Sequence, residues 1–335
     1  MTSMFAQARP LIIAEIGGNH EGSFDRALEL TRLALTSGVD AIKYQVYCGD
    51  GIASSIAAPE QNAHFKRFEL ADAEWRRLAE LCGPKFSASV WDERSLELID
   101  PLVSFHKVGS GDLTNYPLLR KIARCDKPLI LSTAMARLDE VQEAIGWIDR
   151  CNPRLRNVRE LCLLHCVAMY GDPRAEYANL AAILTLAETF PDIPIGYSDH
   201  TIGTLACEAA VTLGAHVLEK HFTDDKTRPF RDHAISATLA EMQQLVARSA
   251  EISVLRGDGS KRPIAEVETV ERIKSFRRGV YARADVVSGT VLSTEHLTTL
   301  RPLLGIDARY FDEVVGRRLC RAKRAHDPIY AKDLE

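Results

Sequence analysis

Two tripeptides carry histidine beside an acid: Ser198–Asp199–His200 and Glu219–Lys220–His221. Imidazoles that close consecutive strands can converge on one divalent cation, whereas either histidine alone would more simply be a hydrogen-bonded structural group. A cation held by two imidazoles keeps positions open to water or a substrate oxygen, which suits Lewis-acid chemistry. The other residues with chemical potential are Glu15, Lys43, Gln45, Ser89, Lys107, Ser110, Ser132, His165 and Tyr170. Two lysines gathered inside a fold are costly to bury unless an anion compensates them. Serines and glycine-flanked amides beside them suit a phosphate or carboxylate. Glu15 is a candidate general acid/base, its plainer alternative being an ion pair with Lys43.

These residues fall at the C-terminal ends of short apolar runs. The expected strands are 11–16, 40–46, 85–90, 104–109, 128–133, 160–166, 194–199 and 216–222. Amphipathic patterns alternate with them, over 24–37, 71–82, 115–124, 138–150, 177–190, 201–213 and 238–255, with a weaker one over 93–100. Eight strand–helix units within about 250 residues predict a closed (β/α)8 TIM barrel, whose chemistry sits where the strands end. A doubly wound sheet would usually show G-x-G-x-x-G after its first strand, and GGNHEG does not match it.

The pattern changes after Leu255. The expected organisation is a barrel over 1–255, a linker over 256–276 that includes a short helix at Ile264–Lys274, and a small β-rich domain over 277–335. A net charge of −4 over 335 residues argues against a general nucleic-acid or anionic-membrane binder. No apolar run approaches the ~20 residues that span a bilayer, and the first residues lack a secretory pattern. The eight cysteines include no C-x-x-C pair, and Cys162 and Cys166 lie on one strand, so reduced thiols in a cytoplasmic protein are expected.

In order along the chain, IIAEIGGNHEGS, DAIKYQVY, KVGSGDLTNYPLL, KPLILSTAM, LLHC, GYSDHT and LEKHFT resemble the sialic acid synthase (N-acetylneuraminate synthase) family. From about Arg277 the tail is similar to that family's antifreeze-like (SAF, β-clip) domain. The resemblance implies a metal-dependent condensation of phosphoenolpyruvate with an N-acetylmannosamine-like aldose, giving a nonulosonic acid and phosphate. It implies that Lys107, Ser110, Ser132 and Ser198 hold the phosphate, with Lys43 and Ser89 at the carboxylate end. Glu15 would be the acid/base, with Glu219 also catalytic. Gln45, Tyr170 and Asp232 would meet the sugar. His200 and His221 would bind Mn2+, or another divalent ion such as Mg2+ or Co2+. Arg301 would reach the partner's active site in a domain-swapped homodimer.

Three segments depart from the family pattern, all expected on the sugar side. Ala168 stands in Val167–Ala168–Met169–Tyr170–Gly171 where the family has a polar residue. Arg228–Pro229–Phe230–Arg231–Asp232–His233 replaces a small turn. Arg301 is followed by Pro302–Leu303–Leu304–Gly305. A different aldehyde acceptor is the expected consequence. Arg228 and Arg231 keep open a sugar-phosphate acceptor, as in other phosphoenolpyruvate-condensing barrels.

Overall fold

The computed structural model of the chain describes residues 3–170 and 173–335. Eight parallel strands close in sequence order: β1 (Leu11–Gly17), β2 (Ala41–Val46), β3 (Phe86–Val90), β4 (His106–Val108), β5 (Leu129–Ser132), β6 (Leu161–Cys166), β7 (Ile195–Asp199) and β8 (Val217–His221). β8 returns to pair with β1, with Ile13 opposite Glu219 and Glu15 opposite His221. The barrel expected from the alternating pattern is therefore the observed fold.

Side chains alternate between two layers along each strand. Those facing the helices, such as Ile12, Ala14 and Ile16 of β1 or Ile42, Tyr44 and Val46 of β2, form one large apolar cluster with the helix faces. Those pointing inward build a smaller cluster at the N-terminal end: Leu11, Ile13, Ala41, Phe105, Ile130, Cys162, Leu164 and Val217, with Phe5 packed among them. Local signals set the helices. Ser23 caps Phe24–Leu35 by accepting from the Arg26 N–H, and Asp92 caps Glu93–Ile99 by accepting from Ser95.

Several differences from the sequence reading concern short elements. After β2 the chain forms helices at Gly49–Ile52 and Pro59–Phe68, where no element was expected. The helix before β7 covers Ala182–Thr189 rather than 177–190, because Ala175–Tyr177 forms a separate 3-10 turn.

The chain divides into Met1–Gly257 and Asp258–Glu335. The second unit begins with a helix at Val270–Phe276, later than the expected Ile264–Lys274, because Thr269 supplies the cap. It continues with the antiparallel pair β9 (Gly279–Ala282) and β10 (Leu297–Leu300). Its core is Val280, Ala282, Val286, Leu292, Leu297, Val314, Leu319 and Ile329. Among the described residues, no helix is long and apolar enough to cross a membrane.

Candidate active site

At the C-terminal end of the barrel the inward-facing layer turns polar and lines a cavity of about 540 Å³. Its buried floor is Glu15, Lys43, Ser89, Lys107, Ser132, Ser198, Glu219 and His221. Period-two alternation brings them together: Glu15, Lys43, Lys107, Ser132 and Glu219 each follow, two residues on, an inward apolar residue of the lower cluster.

Two carboxylates and two ammonium groups interleave across this floor. Lys43 Nζ lies 3.0 Å from Glu15 and 3.4 Å from Glu219, and Lys107 Nζ lies 3.2 Å from Glu219. Ser198 Oγ donates to Glu219 at 3.0 Å, Lys43 donates to Ser89 Oγ at 3.1 Å, and Gln45 donates to Glu15 at 2.9 Å. The two acids respond oppositely. Burial outweighs Lys43 and raises the Glu15 carboxyl above its ordinary value. Burial also opposes the Glu219 charge, but Lys107, Lys43 and Ser198 together hold it down to about 2. Burial lowers the Lys107 ammonium despite Glu219, whereas for Lys43 the two carboxylates prevail over burial and raise it. Carboxyls whose environments push them apart can divide acid and charge-holding roles between them. Ser132 Oγ is buried with no hydrogen-bond partner among the described residues, as expected of a group that meets a ligand.

The imidazoles of His200 and His221 lie 5.2 Å apart, centroid to centroid. Burial lowers His200 to about 4 and holds His221 well below its ordinary value, so both rings are neutral near pH 7 and each offers a lone pair. His221 Nδ1 has no partner among the described residues; His200 meets Tyr170 Oη at 3.2 Å and Cys166 Sγ at 3.6 Å. This donor set fits a divalent cation held by nitrogen with open positions. A second group, Asp100, His106 and Cys125, lies at the opposite end of the barrel with ligand atoms within 4.8 Å of one another. There Asp100 is already engaged by His106 at 2.9 Å and Lys127 at 3.1 Å.

Of the residues singled out in the sequence, Glu15, Lys43, Gln45, Ser89, Lys107, Ser110, Ser132, Tyr170, Ser198, His200, Glu219 and His221 all line this cavity. Ser110 Oγ accepts from the Ala134 N–H at 2.9 Å. His165 does not line it: it alternates outward from Cys166, bonds the Ala178 carbonyl at 2.9 Å and stacks on Tyr197. Asp232 is also outside the lining, buried with Arg231 Nε at 3.4 Å, and burial raises its carboxyl to about 6. Arg301 lies in the second unit, exposed, its guanidinium over the Phe276 ring. Gly171 lies outside the described residues.

The divergent segment Arg228–His233 is mostly engaged elsewhere. Phe230 packs on Phe68 at 5.0 Å and covers Gly18, where a Cβ would stand 2.8 Å from its ring. Arg228 pairs with Glu21 at 3.4 Å, and Arg231 lies over the Tyr170 ring at 4.3 Å. Sequence reasoning missed Ile52, Trp91, Asn115, Met135 and Cys166 as lining residues. Asn115 stands in KVGSGDLTNYPLL, Met135 in KPLILSTAM and Cys166 in LLHC, so the motifs held a signal; for Ile52 and Trp91 there was none.

Residues 30–261 match the NeuB family and residues 277–335 the SAF domain. The N,N'-diacetyllegionaminic acid synthase of Legionella pneumophila is 37% identical, over 92% of this chain and 90% of that protein. The human N-acetylneuraminate-9-phosphate synthase is 33% identical, over 86% and 82%. The crystal structure of the N-acetylneuraminic acid synthetase of Leptospira borgpetersenii, in complex with citrate, superposes with a TM-score of 0.72 at 33% identity, covering 80% of this chain and 93% of that one. The occupied strand ends thus belong to an enzyme, and the chain is a member of the NeuB family of acid synthases with a C-terminal SAF domain.

Proposed function

We propose that the protein condenses phosphoenolpyruvate with the open-chain aldehyde of an N-acyl-hexosamine-type aldose, releasing phosphate and a nonulosonic acid. The observation that carries this reading is the buried floor, where two lysines, two oppositely tuned carboxylates and a neutral histidine pair share one cavity. Lys107, Ser110, Ser132 and Ser198 would hold the phosphate, and Lys43 with Ser89 the carboxylate. An arriving trianion would compete with Glu15 and Glu219 for the lysines, so the existing ion pairs keep both ammonium groups in place until it binds.

His200 and His221 would hold Mn2+, or Mg2+ or Co2+, which when bound polarises the aldehyde oxygen. The carbon 2–carbon 3 π pair of phosphoenolpyruvate would form the bond to the aldehyde carbon while the carbonyl π pair passes to its oxygen, which takes up a proton, and water would add at the cationic carbon 2. The carbon–oxygen bond to phosphate breaks, leaving the 2-keto acid. Glu15, its carboxyl raised by burial, would move the proton of that water. Glu219, held ionised, keeps the two ammonium groups apart. Holding two substrates in register contributes about 7–11 kcal/mol in well-oriented systems.

Gln45 would meet sugar hydroxyls, whereas Asp232, outside the lining and beside Arg231, would not reach them directly. Beside the polar Asp112 and Asn115, the lining carries Ile52, Trp91, Ala134, Met135, Ala168 and Tyr170, and Met135 is 79% exposed. That composition supports an acceptor whose far end carries acyl or deoxy groups, such as a bacillosamine- or altrose-derived precursor of a legionaminic or pseudaminic acid. The engagement of Arg228 and Arg231 by Glu21, Asp232 and Tyr170 disfavours a phosphorylated acceptor. The active form would be a cytoplasmic homodimer in which Arg301 of a second copy contacts the N-acyl group.

Phosphate release and product mass, measured with phosphoenolpyruvate, Mn2+ and a panel of aldoses, test the reading. Diacetamido-deoxyhexoses are expected to exceed N-acetylmannosamine by at least tenfold in kcat/KM. A clear preference for N-acetylmannosamine would defeat the acceptor assignment, and no phosphate release with any aldose would defeat the reaction.

A further inference from the structure

Behind the histidine pair, on the outward layer, lies a buried ion pair that the reaction does not touch. Asp199 and Lys220 face each other across the β7–β8 ladder, as Ser198 and Glu219 do on the inward side. Both side chains are fully buried, with Lys220 Nζ 2.6 Å from Asp199 Oδ2. The carboxylate is saturated: Oδ1 accepts from the Tyr197 hydroxyl and the Thr201 N–H, both at 2.9 Å, and Oδ2 also accepts from the Cys207 thiol at 3.6 Å. Lys220 Nζ donates in addition to the Thr201 carbonyl.

We propose that Asp199 and Lys220 are positioning residues that aim His200 into the cavity; the inference rests on the reading of the histidine pair as a metal site. The two histidines differ in how the backbone holds them. His221 is the last residue of β8 and lies in register with Glu15 of β1, so the ladder itself orients it. His200 comes one residue after β7 ends and has no ladder partner. The bond from the Thr201 N–H to Asp199 Oδ1 closes a side-chain turn around His200. Lys220 grips the carbonyl of the same Thr201, so the residue after His200 is held at both its polar groups. Stability alone does not account for the pair, since buried ion pairs are often matched or bettered by apolar residues of similar volume. Tyr197, Leu218 and Cys207 belong to the apolar cluster and would still pack against an apolar pair, although the Tyr197 hydroxyl would lose its acceptor. An apolar pair could neither accept from the Thr201 N–H nor donate to its carbonyl.

Two uncharged double variants separate these roles. D199N/K220M keeps an oxygen acceptor for the Thr201 N–H, whereas D199L/K220M has nearly the same shape and none. Mn2+ and Co2+ affinities would be measured by titration calorimetry and, for Co2+, by its visible absorption, with thermal unfolding of the metal-free proteins alongside. D199L/K220M is expected to lose about 10–100-fold in metal affinity, as removal of groups that orient ligands generally does. D199N/K220M should lose three- to fivefold and melt somewhat above D199L/K220M, which leaves the Tyr197 hydroxyl and the Thr201 N–H without their acceptor. Equal affinities in the two doubles, or wild-type affinity in D199L/K220M, would overturn the proposal. If D199L/K220M does not fold, D199N/K220M decides, because wild-type affinity there leaves Lys220 with no positioning role. Wild-type protein that binds neither ion, or that binds both unchanged after His200→Ala, sinks the metal site itself and this inference with it.

Discussion

The two ends of the barrel interior are built on the same strands and differ by one inward rung. Ile13 is followed by Glu15, Ala41 by Lys43, Phe105 by Lys107, Ile130 by Ser132, Leu164 by Cys166 and Val217 by Glu219. Inward side chains two residues apart stand roughly 6–7 Å from each other along a strand. Within that distance the interior passes from a dry plug to a charged floor. The apolar rung contributes burial and closes the bottom to water. The polar rung gives up burial for four ionisable side chains whose charges nearly cancel. Stability and chemistry are thus assigned to different rungs, and a substitution should disturb one far more than the other.

The largest expected effect lies in the upper rung. His221→Ala removes one of the two proposed metal ligands and should lower kcat/KM by about 10³-fold or more, roughly 4 kcal/mol of transition-state stabilisation. Because it also removes an imidazole whose Nδ1 has no partner among the described residues, the melting temperature should change by only a few degrees. Steady-state phosphate release and thermal unfolding check both halves. Phe105→Ala is the converse. It empties a fully packed site in the lower rung, costing about 3–5 kcal/mol of stability and on the order of 10 °C in Tm, while kcat at 25 °C stays within about threefold. A large loss of kcat there, without loss of fold, would break the separation of the rungs.

This separation was partly legible in the residues themselves. Runs such as LIIAEI and DAIKYQV show strand, and the polar residue near the end of each marks the catalytic face. Inward and outward positions were less legible. Ser198 and Asp199 look equally reactive in sequence, as do His165 and Cys166, and only the alternation anchored by the closed sheet sends one of each pair to the cavity. The helix Pro59–Phe68 escaped notice because its ten residues carry few apolar positions: within it only Asn62 and Phe68 are buried. Phe230 read as an intrusion on the sugar side, yet it caps Gly18 and Phe68, a tertiary choice that no local pattern encodes.

Acidity should distinguish the rungs as well, since only the upper one titrates. His200, held at about 4, binds a proton less readily folded than unfolded, so its contribution to stability is full above about pH 6.5 and is lost as pH falls towards 4. Glu219, held at about 2, acts in the same direction at lower pH: its contribution is present above the ordinary carboxylate value of about 4.3 and is lost towards 2. Glu15, raised, works in the opposite sense. Comparison of variants isolates the histidine. Between pH 7 and 4 the metal-free His200→Asn protein should show a shallower fall in Tm than wild type. Phe105→Ala should run parallel to wild type at a lower Tm, and a changed slope there would mean that the lower rung is coupled to the charges above it.

The smallest effect belongs to the mouth of the cavity, where Tyr170 is 42% exposed and its hydroxyl meets His200 Nε2 at 3.2 Å. Tyr170→Phe removes that hydroxyl and leaves the ring beneath Arg231. A single hydrogen bond of this kind is worth about 0.5–1.5 kcal/mol, so a change of roughly two- to tenfold is expected. Its direction carries the information. If the hydroxyl steadies His200, Mn2+ affinity falls while KM for the aldose holds. If it meets the acceptor, the aldose KM rises while Mn2+ affinity holds, and Tyr170 then belongs to the mouth rather than to the polar floor.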